Sequence, residues 1–511
     1  MKRGIRTAAQ TAFLMAVLTL VSKFFGFIRE MVMANYFGAS YITDAYAMSF
    51  TILTVMFGGI IIAISTAYMP LYSRINEHKG KEAGDYFTSL IINFLLSVTV
   101  VISILGIIFS DQLIAVLASG FSGETARLAS FYVKTLFSFV VFSSTAGILE
   151  AYLQYKGVFL PQIVSGYFVS ICTIAAIIIS AYTSCYYLGF GMLTGYILRF
   201  ITIAIITGRR RFQYTPVLKY NADVKDTLIM AMPAFLGSCA YSVNQFVDKT
   251  LASRLVEGSI SALNYASLLN GLIMGLTITI LSTVIYPRLT QAVSLKQFDR
   301  FSSMLSTGIT VVVMIALPFS LGAMMYSGQV VQIVYERGAF DQAATSMTSS
   351  AFFFYAGGLL FFSLNELLIK AYYSMGNMKT PMIFSGIGVI INIALSLMLI
   401  SPMAHSGLAL ATSIAAFFST LLLWTGIQRK YEHAVLLGSK GKLLKIFISA
   451  LLAVGGSYIV YAFIILPLSH VIIMRTVQLG LAVIFAGIVY LAALRLFKVE
   501  ELDLLRSLIK R

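Results

Sequence analysis

About fourteen stretches of roughly 20 mostly apolar residues follow one another along the chain. That succession constrains its fold more than any motif does, because a helix crossing the hydrocarbon core of a bilayer needs about that length. The first six run Gln10 to Asn35, Ile42 to Pro70, Tyr86 to Ser110, Arg127 to Leu153, Phe159 to Tyr182 and Tyr187 to Thr207. Six more run Leu228 to Leu255, Ser261 to Tyr286, Thr307 to Tyr326, Thr345 to Ser374, Pro381 to Ile400 and Gly407 to Gln428. Two others, Ile446 to Leu466 and Ile472 to Phe497, close the chain. Over 511 residues the chain is 59% hydrophobic and 11% charged, a balance outside the range of soluble domains. The expectation is an all-α polytopic membrane protein with about 14 transmembrane helices.

The formal charge of +16 does not point to nucleic acid, because the basic residues sit in short loops between apolar runs. Alternate loops collect them: Lys2, Arg3 and Arg6, then Arg74 and Lys79, Arg209 to Arg211, Arg288, Lys379, and Lys440 to Lys445. The intervening loops carry chiefly Arg254, Arg337 and Arg475. The positive-inside bias then places both termini in the cytoplasm, as an even number of spans requires. Met1-Lys2-Arg3 and the apolar run after it resemble the start of a signal peptide, but no small-residue cleavage site follows and the segment reads as a retained first helix. Cys172, Cys185 and Cys239 form neither a disulfide framework nor a zinc-ligand spacing. There is no Walker A pattern and no catalytic grouping of histidines and carboxylates, so the reading is a transporter and not an enzyme.

An internal repeat is visible at a shift of 220 residues. Ala151-Tyr152 and Pro161 to Gly166 align without a gap on Ala371-Tyr372 and Pro381 to Gly386, and nearby shifts pair Gly38 with Gly258, Pro70 with Pro287 and Thr194 with Thr412. A six-helix unit returns the chain to its starting side, so the two copies share one orientation, an arrangement found in alternating-access transporters. The division expected is 1–217 for an N-terminal lobe, 218–429 for a C-terminal lobe, and 430–511 for two additional helices and a cytoplasmic tail.

The first apolar segment is interrupted by Lys23, Arg29 and Glu30, and Asp44 opens the second. Ionisable side chains inside a membrane span are costly and face a protein-lined, water-accessible cavity when they are kept. Lys23, Gly26 and Glu30 share one helical face, and Gly26 permits a bend there. A cationic pocket is the reading for function; the competing one has these side chains snorkel to a membrane surface. Asp44 beside Thr43 also fits a helix N-cap.

Lys23-Phe-Phe-Gly-Phe-Ile-Arg29-Glu30, Phe37-Gly38-Ala39, Thr43-Asp44-Ala45, Tyr335-Glu336-Arg337-Gly338-Ala339-Phe340, Lys379-Thr380-Pro381 and Gly407 to Thr412 resemble the MurJ/MviN lipid II flippase family. That family lies within the multidrug, oligosaccharidyl-lipid and polysaccharide exporters. The resemblance implies a flippase that moves an undecaprenyl-diphosphate-linked cell-wall precursor, lipid II foremost, from the inner to the outer leaflet of the bacterial cytoplasmic membrane by alternating access, for peptidoglycan synthesis. It implies Lys23, Arg29, Glu30 and Asp44 at the substrate site, with Arg29 as diphosphate ligand because its planar fork offers paired, permanently charged donors. It also implies a sodium site at Asp248, Asn392, Thr412 and the backbone carbonyl near Leu408, with Ser396 where a carboxylate is expected; Asn244 and Gln245 add oxygen ligands nearby. Interhelical hydrogen bonding is the competing account of Asn392 and Thr412.

The chain departs from the family at Val55-Met56-Phe57-Gly58 and at Asn264 to Leu269, both uncharged where an arginine is expected. A flippase for another polyprenyl-linked oligosaccharide, or a cation-coupled multidrug antiporter with the same twelve-helix core, are the alternatives. No cofactor other than sodium is expected. The partners are the lipid-linked substrate and the bilayer, not nucleic acid, and the expected working form is a monomer.

Overall fold

In the computed structural model, residues 2–219, 221–280, 285–430, 440–463 and 472–499 are described, and every regular element among them is helical. The N-terminal elements are α1 (Lys2–Phe37), α2 (Tyr41–Leu53), α3 (Gly59–Ile108), α4 (Ser110–Leu117), α5 (Gly123–Tyr155), α6 (Leu160–Tyr182), α7 (Tyr187–Arg209) and α8 (Ala222–Ala252). They are followed by α9 (Ser259–Ile280), α10 (Tyr286–Ser294), α11 (Phe298–Met325), α12 (Ser327–Tyr335), α13 (Gln342–Ser374), α14 (Lys379–Lys430), α15 (Lys440–Phe463) and α16 (Ile472–Leu496). Nine helical stretches among the described residues are long and apolar enough to cross a membrane. Two of these, Tyr41–Ile108 with 68 residues and Lys379–Arg429 with 51, far exceed the roughly 20 residues of one crossing. Each is broken once by a left-handed residue, at Gly80 (φ 83°) and Ala404 (φ 49°).

Local chemistry sets the helix starts. Asn221 and Asp341 accept from Val224 N and Ala344 N at 3.0 and 2.8 Å, capping α8 and α13, and Pro161 opens α6 where no amide partner is needed. The helix expected to stop at Pro70 instead continues towards Gly80. A buried stack of Tyr68 on Tyr72 and Phe87 holds it through the proline. α4 and α12 are shorter than any span, so the length of apolar runs does not reveal them.

Their positions expose the repeat in the backbone. α4 (8 residues) precedes α5 (33), just as α12 (9) precedes α13 (33). Left-handed turns recur about 220 residues apart, at Gly38 and Gly258 and at Gly157 and Gly376.

By its contacts the chain forms two compact units. Unit 1 is Met1–Ser261 with Arg337–Phe340 and so includes α8, which the repeat-based division assigns to the second lobe; unit 2 is Ala262–Glu336 with Asp341–Arg511. In unit 1, Tyr72, Phe87, Leu149, Tyr152, Ile203 and Val224 join α3, α5, α7 and α8 in one core. Asn93 Nδ2 pins the loop after α7 by donating to Thr215 O and Val217 O at 3.0 and 2.9 Å. In unit 2, Phe301, Leu305, Leu367, Tyr372, Leu423, Ile446 and Leu494 form the core. The last two helices belong to that core, and Tyr490 in α16 donates to Met314 O of α11 at 2.7 Å. Side chains such as Val101, Ile104, Leu397 and Ile488 remain more than half exposed, a surface suited to acyl chains.

Candidate functional site

α1 runs unbroken through Gly26 and carries the basic segment towards its C-terminal end. Arg29 lies eight residues before Phe37, about 12 Å along the axis. Its Nε and Nη2 both donate to Glu30 Oε1, at 3.1 and 2.6 Å. The Arg29 side chain is 21% exposed and that of Glu30 9%, so this is an ion pair taken largely out of water. Lys23, two turns earlier, is exposed. It therefore stands apart from the Arg29–Glu30 pair in burial, although it shares a helical face with Glu30.

Asp44 is buried in the first turn of α2 and serves the start of another helix. Oδ2 accepts from Gly258 N and Oδ1 from Ser261 N, each at 2.7 Å, and the Ser261 hydroxyl also donates to Oδ1. A carboxylate placed on the unpaired amides at a helix N-terminus is favoured by hydrogen bonding and by the helix dipole. Thr43 completes the junction: its Oγ1 accepts from Ser40 N at 2.9 Å and lies 2.7 Å from Ser261 Oγ. Asp44 thus caps Gly258–Ser261, a role neither sequence reading anticipated.

The same end of α1 is locked by a second turn. Ala339 N donates to Asn35 O at 2.8 Å, and the backbones approach so closely that a Cβ at Gly338 would lie 2.2 Å from Asn35 O. Gly338 also has φ +59°, so glycine is required there on both counts.

Lys249, in α8, completes the charged group. Nζ donates to Thr51 Oγ1 at 2.7 Å and reaches Ala47 O at 3.5 Å, and the negative charges of Glu30 and Asp44 both act on it. The charge of Arg29 acts on Tyr46. Tyr46 is buried, and its hydroxyl has no hydrogen-bond partner among the described residues. Tyr196 is stacked on Phe139 with ring centres 4.1 Å apart. Arg29, Glu30, Lys249, Thr51 and the phenol of Tyr46 therefore gather from α1, α2 and α8 within unit 1. Lys249 is not among the candidate site residues that the sequence offers. The repeat was the available signal, because the 220-residue shift applied to Arg29 lands on Lys249.

A second buried ion pair went unanticipated. Arg199 of α7 donates to Glu150 Oε1 of α5 through Nε at 2.9 Å and Nη2 at 2.7 Å. Each residue alone looks like an isolated charge in an apolar run, and only helix packing makes the pair.

The residues expected at a sodium site divide between the units. Asp248 is buried in unit 1. In unit 2, Asn392 and Thr412 lie on the two arms of α14 either side of Ala404, and Asn392 Nδ2 donates to Thr412 Oγ1 at 3.0 Å. Thr412 Oγ1 donates to Leu408 O at 3.0 Å, and Ser396 Oγ reaches Asn392 Oδ1 at 3.5 Å. Neutral hydroxyl, carboxamide and backbone oxygens of this kind suit a hard monovalent cation, so the donor types in unit 2 fit sodium.

Comparison with known proteins bears on this geometry. A family model described as lipid II flippase MurJ matches residues 33–480. A probable lipid II flippase MurJ of Rickettsia prowazekii (strain Madrid E) is 26% identical over 507 residues, covering 97% of this chain and 99% of that protein. One from Buchnera aphidicola subsp. Schizaphis graminum (strain Sg) is 29% identical over 427 residues, covering 81% and 82%. Among solved structures, lipid II flippase MurJ in an inward closed conformation superposes with a TM-score of 0.82 at 26% identity, covering 97% of this chain and all of that one. An inward-facing multidrug resistance MATE family transporter superposes at 0.68 with 15% identity over 80% of this chain, a likeness of fold alone.

Proposed function

This chain belongs to the MurJ lipid II flippase family, and we propose that it carries lipid II, an undecaprenyl-diphosphate-linked precursor, from the inner to the outer leaflet of the cytoplasmic membrane for peptidoglycan synthesis. The observation that carries this reading is the Arg29–Glu30 pair in α1, with Lys249 of α8 held on Thr51 of α2 where the charge of Glu30 acts on it. A diphosphate brings negative charge that must pass a hydrocarbon core about 30 Å thick, and a guanidinium fork is the side chain suited to receive it. Without substrate, Glu30 neutralises Arg29. An arriving diphosphate takes over donors that Glu30 now holds, while Lys249 offers a second cation. The exchange keeps the Arg29 guanidinium paired with an anion at every stage.

The lysine-rich loops place both termini in the cytoplasm, and the two repeats alternate access to the head group from either side. Turnover draws on the membrane potential, about 2.3 kcal/mol per charge per 100 mV, or on sodium binding. If sodium is the coupling ion, Asp248→Asn changes the sodium dependence of transport; an identical sodium response in the variant removes the ion from the scheme.

The test replaces a cell's only lipid II flippase with this chain and measures how much lipid II becomes accessible at the outer face. The chain should sustain that exposure, and Arg29→Ala should reduce it at least ~100-fold, the loss of about 3 kcal/mol of charge-assisted bonding. Full exposure by Arg29→Ala at equal abundance rejects the diphosphate role.

A further inference from the structure

Unit 2 contains a cavity of about 540 Å³ that the flippase reading does not use. Its walls come from α12, the first turn of α13, and the facing ends of α15 and α16. The polar lining is dominated by Gln329, Gln332, Glu336, Gln342, Arg475 and Gln478. Its size falls within the ~300–1,000 Å³ usual for small-molecule sites.

The chemistry of the lining narrows the ligand. An acidic cage for a cation would not include Arg475, and a site for an anion would not place Glu336 on its wall. Carboxamides dominate, and each offers both donors and an acceptor. Together with one carboxylate and one guanidinium, they match a neutral ligand dense in hydroxyl and amide groups. Tyr461 also lines the cavity and supplies an aromatic face.

Two hydrogen bonds fix part of the lining. Gln332 Nε2 donates to Glu336 Oε1 at 3.0 Å, and Gln478 Nε2 donates to Tyr461 O at 2.9 Å. The other oxygen of Glu336, Oε2, is buried and has no hydrogen-bond partner among the described residues. A carboxylate oxygen withdrawn from water without a donor is costly, and a ligand hydroxyl or amide N–H would remove that cost.

We propose that this cavity is a carbohydrate-binding site, taking an uncharged N-acetylated sugar through the carboxamides of α12, α13 and α16 and the carboxylate of Glu336. It gives the two C-terminal helices a binding role as well as a packing one. The inference stands on the cavity's own chemistry and does not require the lipid diphosphate to bind at Arg29.

Saturation-transfer NMR on the detergent-solubilised full chain, with N,N′-diacetylchitobiose as the probe, tests it. Saturation should reach both the ring and the acetamido protons of the disaccharide. Glu336→Gln, which keeps the size of the side chain, and Gln342→Ala should each weaken the apparent affinity at least 10-fold with the unfolding midpoint unchanged. Absence of transfer overturns the proposal, as does transfer that both variants leave intact. Binding of a short acidic peptide in place of the disaccharide also overturns it, and assigns the cavity to peptide. Because the probe has neither diphosphate nor lipid, failure here leaves the Arg29 reading intact, and success stands even if that reading fails.

Discussion

The two units bury different chemistry. Glu30, Asp44, Asp85, Glu150 and Asp248 are the buried carboxylates among the described residues, and all five belong to unit 1. Unit 2 buries neutral polar groups instead, among them Asn270, Thr348, Asn392, Ser396 and His405. Burying an ion is far more costly than burying a hydroxyl or a carboxamide, so carboxylates gathered in one unit mark where ionic chemistry is carried out. Glu30 and Glu150 are each held by an arginine, Asp44 by helix amides, and Asp85 by Tyr152 and Gln213 N.

That difference should appear in stability, beginning with the ion pair of α1. Glu30→Ala strands a largely buried guanidinium and should cost about 3 kcal/mol, near the low end for a broken buried pair because a fifth of Arg29 remains exposed. Denaturant unfolding of the solubilised chain measures it, and Arg29→Met combined with Glu30→Ala should recover most of the loss. Equal destabilisation by the single and double variants would mean that packing, not charge, is what Glu30 supplies. Asp44→Ala should cost about 2 kcal/mol by leaving Gly258 N and Ser261 N without their acceptor, with Asp44→Asn intermediate. Hydrogen exchange at those two amides should accelerate in step.

In unit 2 the corresponding test should give a smaller number. Asn392→Ala removes a neutral interhelical bond to Thr412 and should cost about 0.6 kcal/mol. A loss as large as that of Glu30→Ala would erase the contrast between the units.

The smallest effect belongs to an exposed carboxylate. Asp111 in α4 is held below the usual carboxylate range, first by a hydrogen bond from the Ser130 hydroxyl and then by the charge of Lys134, whose Nζ is 3.6 Å from Oδ2. A lowered folded-state value means that its contribution is present above about pH 4 and fades as the pH falls through that lowered value. Because both side chains are substantially exposed, Ser130→Ala should shift the acid edge of thermal unfolding only slightly.

Apolar run length made the helical membrane class legible, and residue types made the head-group site legible in part. Arg29 and Glu30 are adjacent charges in an apolar stretch, so burial alone was enough to make them partners. Asp44 was harder, because its acceptors are used by amides some 214 residues away, and no local pattern marks a cap supplied by a different helix. Arg199 and Glu150 pair only once α5 and α7 pack. The polar cavity of unit 2 was not legible at all: its glutamines are scattered over three helices, and a carboxamide in a sequence carries no sign of the space it faces.

The measurement closest to the central claim is native mass spectrometry of the full chain with undecaprenyl diphosphate, with undecaprenol as the uncharged comparison. If positive charge in unit 1 receives the diphosphate, Arg29→Ala and Lys249→Met each weaken undecaprenyl diphosphate binding at least 10-fold and leave undecaprenol binding unchanged. Undecaprenyl diphosphate held as tightly by both variants as by the unmodified chain would contradict it.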